Sequence, residues 1–337
     1  MDTPLLNIVM VTYNQENYVS QAIESVLMQI TYFNYVLIIS DDYSTDRTGI
    51  ICQHYQKMYP DRIVLLTGDR NLGMATNYWR AFSNCTAKYI AILEGDDYYI
   101  DPRKLQEQVS ILESNSEYGI VHSNYELLYE DGKKKIGHGF KQLKTLQGDL
   151  FRSLIKQNSI CPATSCFRRQ LFADHVDFNY AVLNSLQTID IFLWLALTYH
   201  SRVYYQNRIT ACYRVLSRSI SNNQDIERYE VFMNSSVAIL KYYSDKYSDE
   251  KKVFECSINQ IYTKFIFRLI EAKEYNKALF YARHLDLTEY KSRWANILAH
   301  NRDLRPVYRI YRGVILMFSS IKQAALKSIY IDRKRVV

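Results

Sequence analysis

The chain has 337 residues, 48% of them hydrophobic, enough for one large or two modest domains with a sizeable core. Forty-two Lys and Arg against 35 Asp and Glu give a net charge of +7; so mild an excess, without a recognition motif, argues against a nucleic-acid partner. No run approaches the ~20 apolar residues of a membrane span, Met1-Asp2-Thr3-Pro4 lacks the basic region of a secretory signal, and six scattered cysteines show neither framework nor zinc spacing, which points to reduced thiols and a cytoplasmic setting.

The first third alternates strands and helices. Leu6–Val11 reads as an apolar strand, followed by the polar turn Asn14-Gln15-Glu16-Asn17 and a helix over Tyr18–Gln29, whose Val19, Ala22, Ile23, Val26 and Leu27 fall at helical spacing. Tyr35–Ile39 is a second strand ending in Ser40-Asp41-Asp42, and Ser44, Thr45 or Asp46 can cap a helix over Arg47–Tyr59. Ile63–Thr67 is a third strand. Asn71-Leu72-Gly73 turns the chain into a helix over about Ala75–Asn84, and Tyr89–Leu93, apolar throughout, reads as a fourth strand buried on both faces. Asp101-Pro102 opens a helix to about Ser114. This order implies a largely parallel sheet with right-handed crossovers.

After Gly119 the pattern changes. Ile120–Tyr129 reads as a strand closed by a turn at Glu130-Asp131-Gly132-Lys133, Thr145–Ile155 as a helix, Ile160–Phe167 as strand-like, Ile189–Leu197 as an apolar helix opening with an acid, and Arg202–Tyr213 again as a strand. Helices are expected over Tyr229–Tyr243, Lys251–Lys273 and Glu274–His284, then a basic final segment. A boundary is placed near 224, giving 1–223 (with halves 1–114 and 115–223) and a helical region 224–337 with a basic amphipathic tail.

Three strands deliver polar groups at their carboxyl ends: Thr12-Tyr13-Asn14, Asp41-Asp42 and Glu94-Gly95-Asp96-Asp97. In open α/β sheets that edge is where ligands bind. Adjacent carboxylates repel unless a cation or hydrogen-bond donors compensate, and a hard divalent ion with an anionic substrate suits them. A nucleotide fits: a tyrosine face can stack on a base, a carboxylate can accept from base or ribose, and a metal can bridge a diphosphate. No G-x-G-x-x-G follows the first strand and no Walker A sequence occurs, so a glycine cradle for phosphates is excluded.

Residues 5–114 resemble the family 2 glycosyltransferases of GT-A fold. The likeness is carried by Val9-Met10-Val11-Thr12-Tyr13-Asn14, by Ile38-Ile39-Ser40-Asp41-Asp42-Tyr43-Ser44-Thr45-Asp46-Arg47-Thr48, by Asn71-Leu72-Gly73 and by Ala91-Ile92-Leu93-Glu94-Gly95-Asp96-Asp97, in family order and spacing. A weaker match runs to about Asn222 through Asp190, Tyr213-Arg214 and Ser219-Ile220-Ser221. The resemblance implies an α/β, Rossmann-like, mostly parallel sheet flanked by helices, with a C-terminal helical region after it. It implies that Thr12 and Tyr13 lie against the nucleobase and that Asp42 hydrogen-bonds the base; Asn14 and Asn71 are candidate nucleotide-site residues beside them, Asn71 with Gly73 also suiting a turn, and Arg214 suits either a diphosphate or a surface acid. Asp96 would contact ribose or metal, and Asp97 would be the main ligand of Mn²⁺ or Mg²⁺. Asp190 aligns with the family's catalytic base, although Ile189 stands where many relatives have Glu.

The function so implied is inverting, metal-dependent transfer from a nucleotide-sugar donor, with UDP favoured by family frequency and dTDP or GDP open, to a saccharide acceptor, lipid-linked in cell-surface polysaccharide biosynthesis (lipopolysaccharide or capsule). A non-catalytic sugar-nucleotide-binding module is the alternative. A nucleotidyltransferase would ordinarily need a glycine- and basic-rich loop where Asn14-Gln15-Glu16-Asn17 stands. Arg305-Pro306-Val307-Tyr308-Arg309, continued by Lys322, Lys327, Arg333, Lys334 and Arg335, suits a helix on an anionic bilayer, so a peripheral place on the inner face of the cytoplasmic membrane is expected; self-association into a homo-oligomer is left open.

Overall fold

The computed structural model describes residues 3–138, 146–217, 225–301 and 303–304. The expected membrane-binding tail beyond 304, the Ser219-Ile220-Ser221 match and the start of the helix expected at Thr145 lie outside these residues. Two compact units divide after Glu255.

The first unit is built on a nine-stranded sheet in the order β3-β2-β1-β4-β8-β6-β9-β5, with β7 beside β6. The strands are β1 (Leu6–Thr12), β2 (Tyr35–Asp41), β3 (Ile63–Leu66), β4 (Tyr89–Ile92), β5 (Tyr98–Tyr99), β6 (Tyr118–Tyr129), β7 (Lys134–Ile136), β8 (Cys166–Arg168) and β9 (Arg202–Val215). From β3 to β4 all pairings are parallel, with Thr12 opposite Asp41 and Val9 opposite Ile92. Strand order reverses at β1, so the crevice between the carboxyl ends of β1 and β4 is the topological switch point. Helices α1 (Val19–Leu27), α2 (Thr48–Met58), α3 (Met74–Ser83) and α4 (Lys104–Ser114) connect these strands. Their core is continuous: Ile8 and Met10 of β1, Leu37 and Ile39 of β2 and Ala91 of β4 pack with Val19, Ile23 and Val26 of α1, all buried.

Beyond β4, where the sequence pattern changes, the sheet is mixed. The short β8 is antiparallel to both β4 and β6, and β6 and β9 then run parallel over most of their length. Ile160–Phe167 is mixed, with a strand only at its end. Pro162, which lacks the N–H that a central strand needs, begins a 3₁₀ turn, and strand pairing starts only at Cys166. The helix expected from Thr145 begins at Phe151 as α5 (Phe151–Lys156), after the Gly148 bridge to Val203. Helices α6 (Arg169–His175) and α7 (Phe178–Leu183) precede α8 (Ile189–His200), whose Trp194 Nε1 donates to Ile160 O at 3.0 Å. Helix α9 (Ile226–Lys246) closes on this layer, with Tyr243 Oη donating to Phe192 O at 2.7 Å.

The second unit, from Cys256, takes the later part of α10 (Lys251–Glu271) with α11 (Tyr275–Ala282) and α12 (Tyr290–His300). Phe265, Leu269, Ala278, Tyr281 and Leu298 form its apolar interior, and Asn259 ties α10 to the loop between α11 and α12 by donating to Asp286 O at 2.9 Å. Among the described residues no helix is long and apolar enough to cross a membrane.

Candidate active site

The loops after β1 and β2 are laced together. Asn14 N donates to Ser44 Oγ at 2.9 Å, and Asn14 Oδ1 accepts from Thr45 N at 2.8 Å. Gln15 N donates to Thr48 Oγ1 (2.8 Å) and Glu16 N to Asp46 Oδ2 (3.1 Å). Asp46 Oδ1 accepts from Thr48 N at 2.9 Å, whereas the residue at the N-cap of α2 is Arg47, with no side-chain capping bond. Asn14 and Tyr43 both take left-handed backbone, φ 53° and 63°. Thr12 is buried and donates to Gln15 Oε1 at 2.7 Å, whereas Tyr13 is 46% exposed at the rim.

Asp41 and Asp42 are both buried and both engaged. Ser44 donates its hydroxyl to Asp41 Oδ1 (2.5 Å), and Arg80 of α3 donates to Asp41 O (2.6 Å) and to Ser40 Oγ (2.8 Å). Burial nevertheless pushes the Asp41 carboxyl above its usual range. Asp42 receives two backbone donors, Leu72 N on Oδ1 (2.8 Å) and Gly73 N on Oδ2 (3.0 Å). Asn71 closes the same loop from the other side, its Nδ2 donating to Asp42 O at 3.1 Å. Gly73, at φ 81°, supplies the turn into α3.

The acid loop after β4 packs tightly on the β1 loop. A Cβ at Gly95 would lie 2.5 Å from Gln15 Oε1 and 2.8 Å from Thr12 Oγ1, so only glycine fits. Asp97 is 1% exposed; its Oδ1 accepts from Arg214 N at 2.8 Å, while its Oδ2 is buried without a hydrogen-bond partner. Arg214 braces this loop as well. Its guanidinium lies between the rings of Tyr18 (5.0 Å) and Tyr98 (4.7 Å) and donates to Asp96 O and to Gln21 Oε1. Asp96 and Glu94 are partly exposed.

Electrostatics brings a fourth acid to this loop. Burial first, then the Asp96 and Asp190 carboxylates, push Glu94 up to about 7, against an opposing hydrogen bond from Tyr78 Oη at 2.7 Å. Burial and then the Asp96 and Glu94 charges drive Asp97 well above its ordinary value. Asp190, in the first turn of α8, is itself raised by burial and accepts from Asn158 Nδ2 at 2.6 Å. The same acids act on two neighbouring groups, the buried Tyr78 and the partly buried Cys161. After burial, the Tyr78 hydroxyl is raised by Glu94, Asp190 and Asp96, and the Cys161 thiol by Asp97, Glu94 and Asp190.

Sequence reasoning singled out neither Tyr78, Asn158, Cys161 nor Glu94 as individual site residues. Tyr78 carried a signal, since Ala75, Tyr78 and Phe82 form one buried face of α3. Asn158 and Cys161 carried none, because only the sheet brings their loop to the acids. A separate open cavity of about 650 Å³, lined by Glu117, Arg152, Tyr199 and Arg202 among others, lies at the opposite ends of β6 and β9, with Arg152 and Arg202 paired to Glu250 and Glu117.

The family model described as glycosyl transferase family 2 matches residues 7–176. An uncharacterised protein of Mycobacterium tuberculosis is 33% identical over 174 residues, 52% of this chain and 50% of that protein, so the chain spans about half the length of this relative. The Escherichia coli protein named UDP-Glc:alpha-D-GlcNAc-diphosphoundecaprenol beta-1,3-glucosyltransferase WfgD is 29% identical over 226 residues, 66% of this chain and 82% of that one. Among solved structures, S. aureus TarS 1–349 in complex with UDP superposes with a TM-score of 0.53 at 15% identity, covering 91% of each chain. Mannosyltransferase PcManGT from Pyrobaculum calidifontis, in complex with GDP-Man and Mn²⁺, superposes with a TM-score of 0.53 at 13% identity, covering 88% of this chain and 84% of that one. At those identities the structural likeness speaks for the fold, GT-A, alone.

Proposed function

This chain belongs to glycosyl transferase family 2, and from that premise we propose that it transfers a sugar from a nucleotide donor to a saccharide acceptor with inversion at the anomeric carbon. The observation that carries the proposal is the acid loop at the carboxyl end of β4, packed against the β1 loop through Gly95, in which Asp97 Oδ2 is buried without a hydrogen-bond partner.

The nucleotide lies over the carboxyl ends of β1 and β2, contacted by Thr12, Tyr13, Asn14, Asp42 and Asn71. Each Asp42 oxygen holds one backbone donor and keeps a lone pair for a base N–H. Arg214 steadies the acid loop and brings positive charge beside Asp96. The acceptor hydroxyl sits against Asp190, which takes its proton as the oxygen attacks. The raised affinity of Asp190 for a proton suits that role, and Asn158 holds its carboxylate in place. Holding donor and acceptor together supplies much of the acceleration.

The acid loop fits a divalent cation. Asp97 Oδ2 is buried without a donor, and the loop's carboxylates raise one another's proton affinity. Among the described residues no three acidic, histidine or cysteine side chains form a complete site. Asp96 and Asp97 would therefore furnish one or two ligands and the diphosphate oxygens the remainder, a usual arrangement for Mg²⁺. When bound, Mn²⁺ or Mg²⁺ neutralises charge on the departing diphosphate as a Lewis acid.

Residues 1–114 take the donor and 115–223 the acceptor. UDP is the donor nucleotide and the acceptor is lipid-linked, a reading that the name of the WfgD relative supports; the work so proposed is surface-polysaccharide synthesis at the inner face of the cytoplasmic membrane. Incubation with labelled sugar nucleotides and Mn²⁺ tests this. Asp190→Asn should retain UDP binding by calorimetry and lose roughly 10²- to 10⁴-fold in transfer. Normal turnover by that variant would remove Asp190 from the mechanism.

A further inference from the structure

We propose that Tyr43 is the second aromatic wall of the nucleobase pocket, opposite Tyr13, and that the left-handed backbone at residue 43 is kept for that contact. The inference rests on the nucleotide-donor proposal above and names an element of its base recognition.

A bulky aromatic at φ 63° is a costly choice, since residues with a Cβ disfavour this region and glycine occupies it freely. The turn itself does not call for the ring. Asp42 on one side is held by Leu72 N and Gly73 N, and Ser44 on the other by Asp41 and Asn14 N. These anchors would persist with any residue between them. Tyr43 meanwhile is 50% exposed, and among the described residues its hydroxyl has no hydrogen-bond partner and its ring no aromatic or cationic neighbour. Backbone cost without an internal contact in return points to an external partner.

Position says which partner. Thr12 pairs with Asp41 in the parallel ladder, so Tyr13, one residue on, and Tyr43, two residues on, leave adjacent strands at the same edge. The bonds from Asn14 to Ser44 and Thr45 fasten the two loops one residue beyond each tyrosine. Tyr13 is likewise half-exposed. Two free aromatic faces beside a carboxylate with spare lone pairs suit a flat heteroaromatic ring with an N–H edge, the base of a nucleoside diphosphate. Stacking tolerates any base, so Tyr43 contributes affinity and Asp42 contributes selectivity.

The test is calorimetry of the full chain with Mn²⁺ and whichever of UDP, GDP or dTDP the wild type binds, alongside melting curves. Tyr43→Gly suits the backbone and should melt no lower than wild type, yet bind about tenfold more weakly. Tyr43→Leu keeps the bulk, removes the π face and should bind as weakly as Tyr43→Gly. Tyr43→Trp should bind at least as tightly as wild type. Wild-type affinity in either the Gly or the Leu variant overturns the role of Tyr43 and leaves the donor proposal standing. A wild-type chain that binds none of the three nucleotides overturns both.

Discussion

Two Asp-Asp pairs end neighbouring parts of one sheet, and they are used in opposite ways. Asp41-Asp42 is supplied with a donor on every carboxylate oxygen: Ser44 serves the first acid, and two backbone N–H groups from a distant loop serve the second. Asp96-Asp97 is not. Asp97 has one satisfied oxygen and one buried without a donor, and Asp96 and Glu94 crowd charge against it. The first pair is a clasp that shapes the loop over the crevice. The second carries more negative charge than Arg214 alone offsets, as expected where a cation or phosphate-bound ion completes a site. The same dipeptide can thus stabilise or destabilise, and its donors, not its sequence, decide which.

Opposite effects of substitution would sharpen this contrast. Asp42→Ala removes two charge-assisted bonds and frees the 71–73 loop; chemical denaturation should show a loss of about 3 kcal/mol. Asp96→Asn relieves like-charge repulsion in the acid loop, so the melting point without divalent ions should rise by a few degrees even as transfer is lost. A fall in melting point would erase the contrast between the pairs. The smallest effect is in pH. Glu94 is pushed from 4.5 to about 7, so between those values the folded chain holds a proton that the unfolded chain has released. That contribution is complete below about pH 4.5 and lost as pH rises through 7. Melting without divalent ions from pH 5 to 8 should slope downward by a few degrees on this account, and Glu94→Gln should flatten the slope. An unchanged slope in that variant would assign the dependence elsewhere.

The donor half was legible because its strands are buried on both faces and its loops are dense in polar residues. β1 to β4 fall within about two residues of the expected bounds, and Asp190 opens its helix as expected. Legibility failed where structure is short or depends on distant partners. β5 is two residues long and exists because β9 pairs with it. α6 and α7 have seven and six residues, too few for a helical period to stand out. The side-chain traffic was equally hidden: no local pattern says that Asp42 serves Leu72 and Gly73, or that Arg214 lies between two tyrosines.

One of those hidden contacts bears on modularity. The family match stops at residue 176, yet the amide that fixes Asp97 and the guanidinium that fixes the Asp96 carbonyl both belong to Arg214, near the end of the last long strand. A fragment cut at the match would carry every motif residue of the donor loops and still lack their fastening. The smallest transplantable donor site therefore extends through β9, about forty residues past the end of the family match.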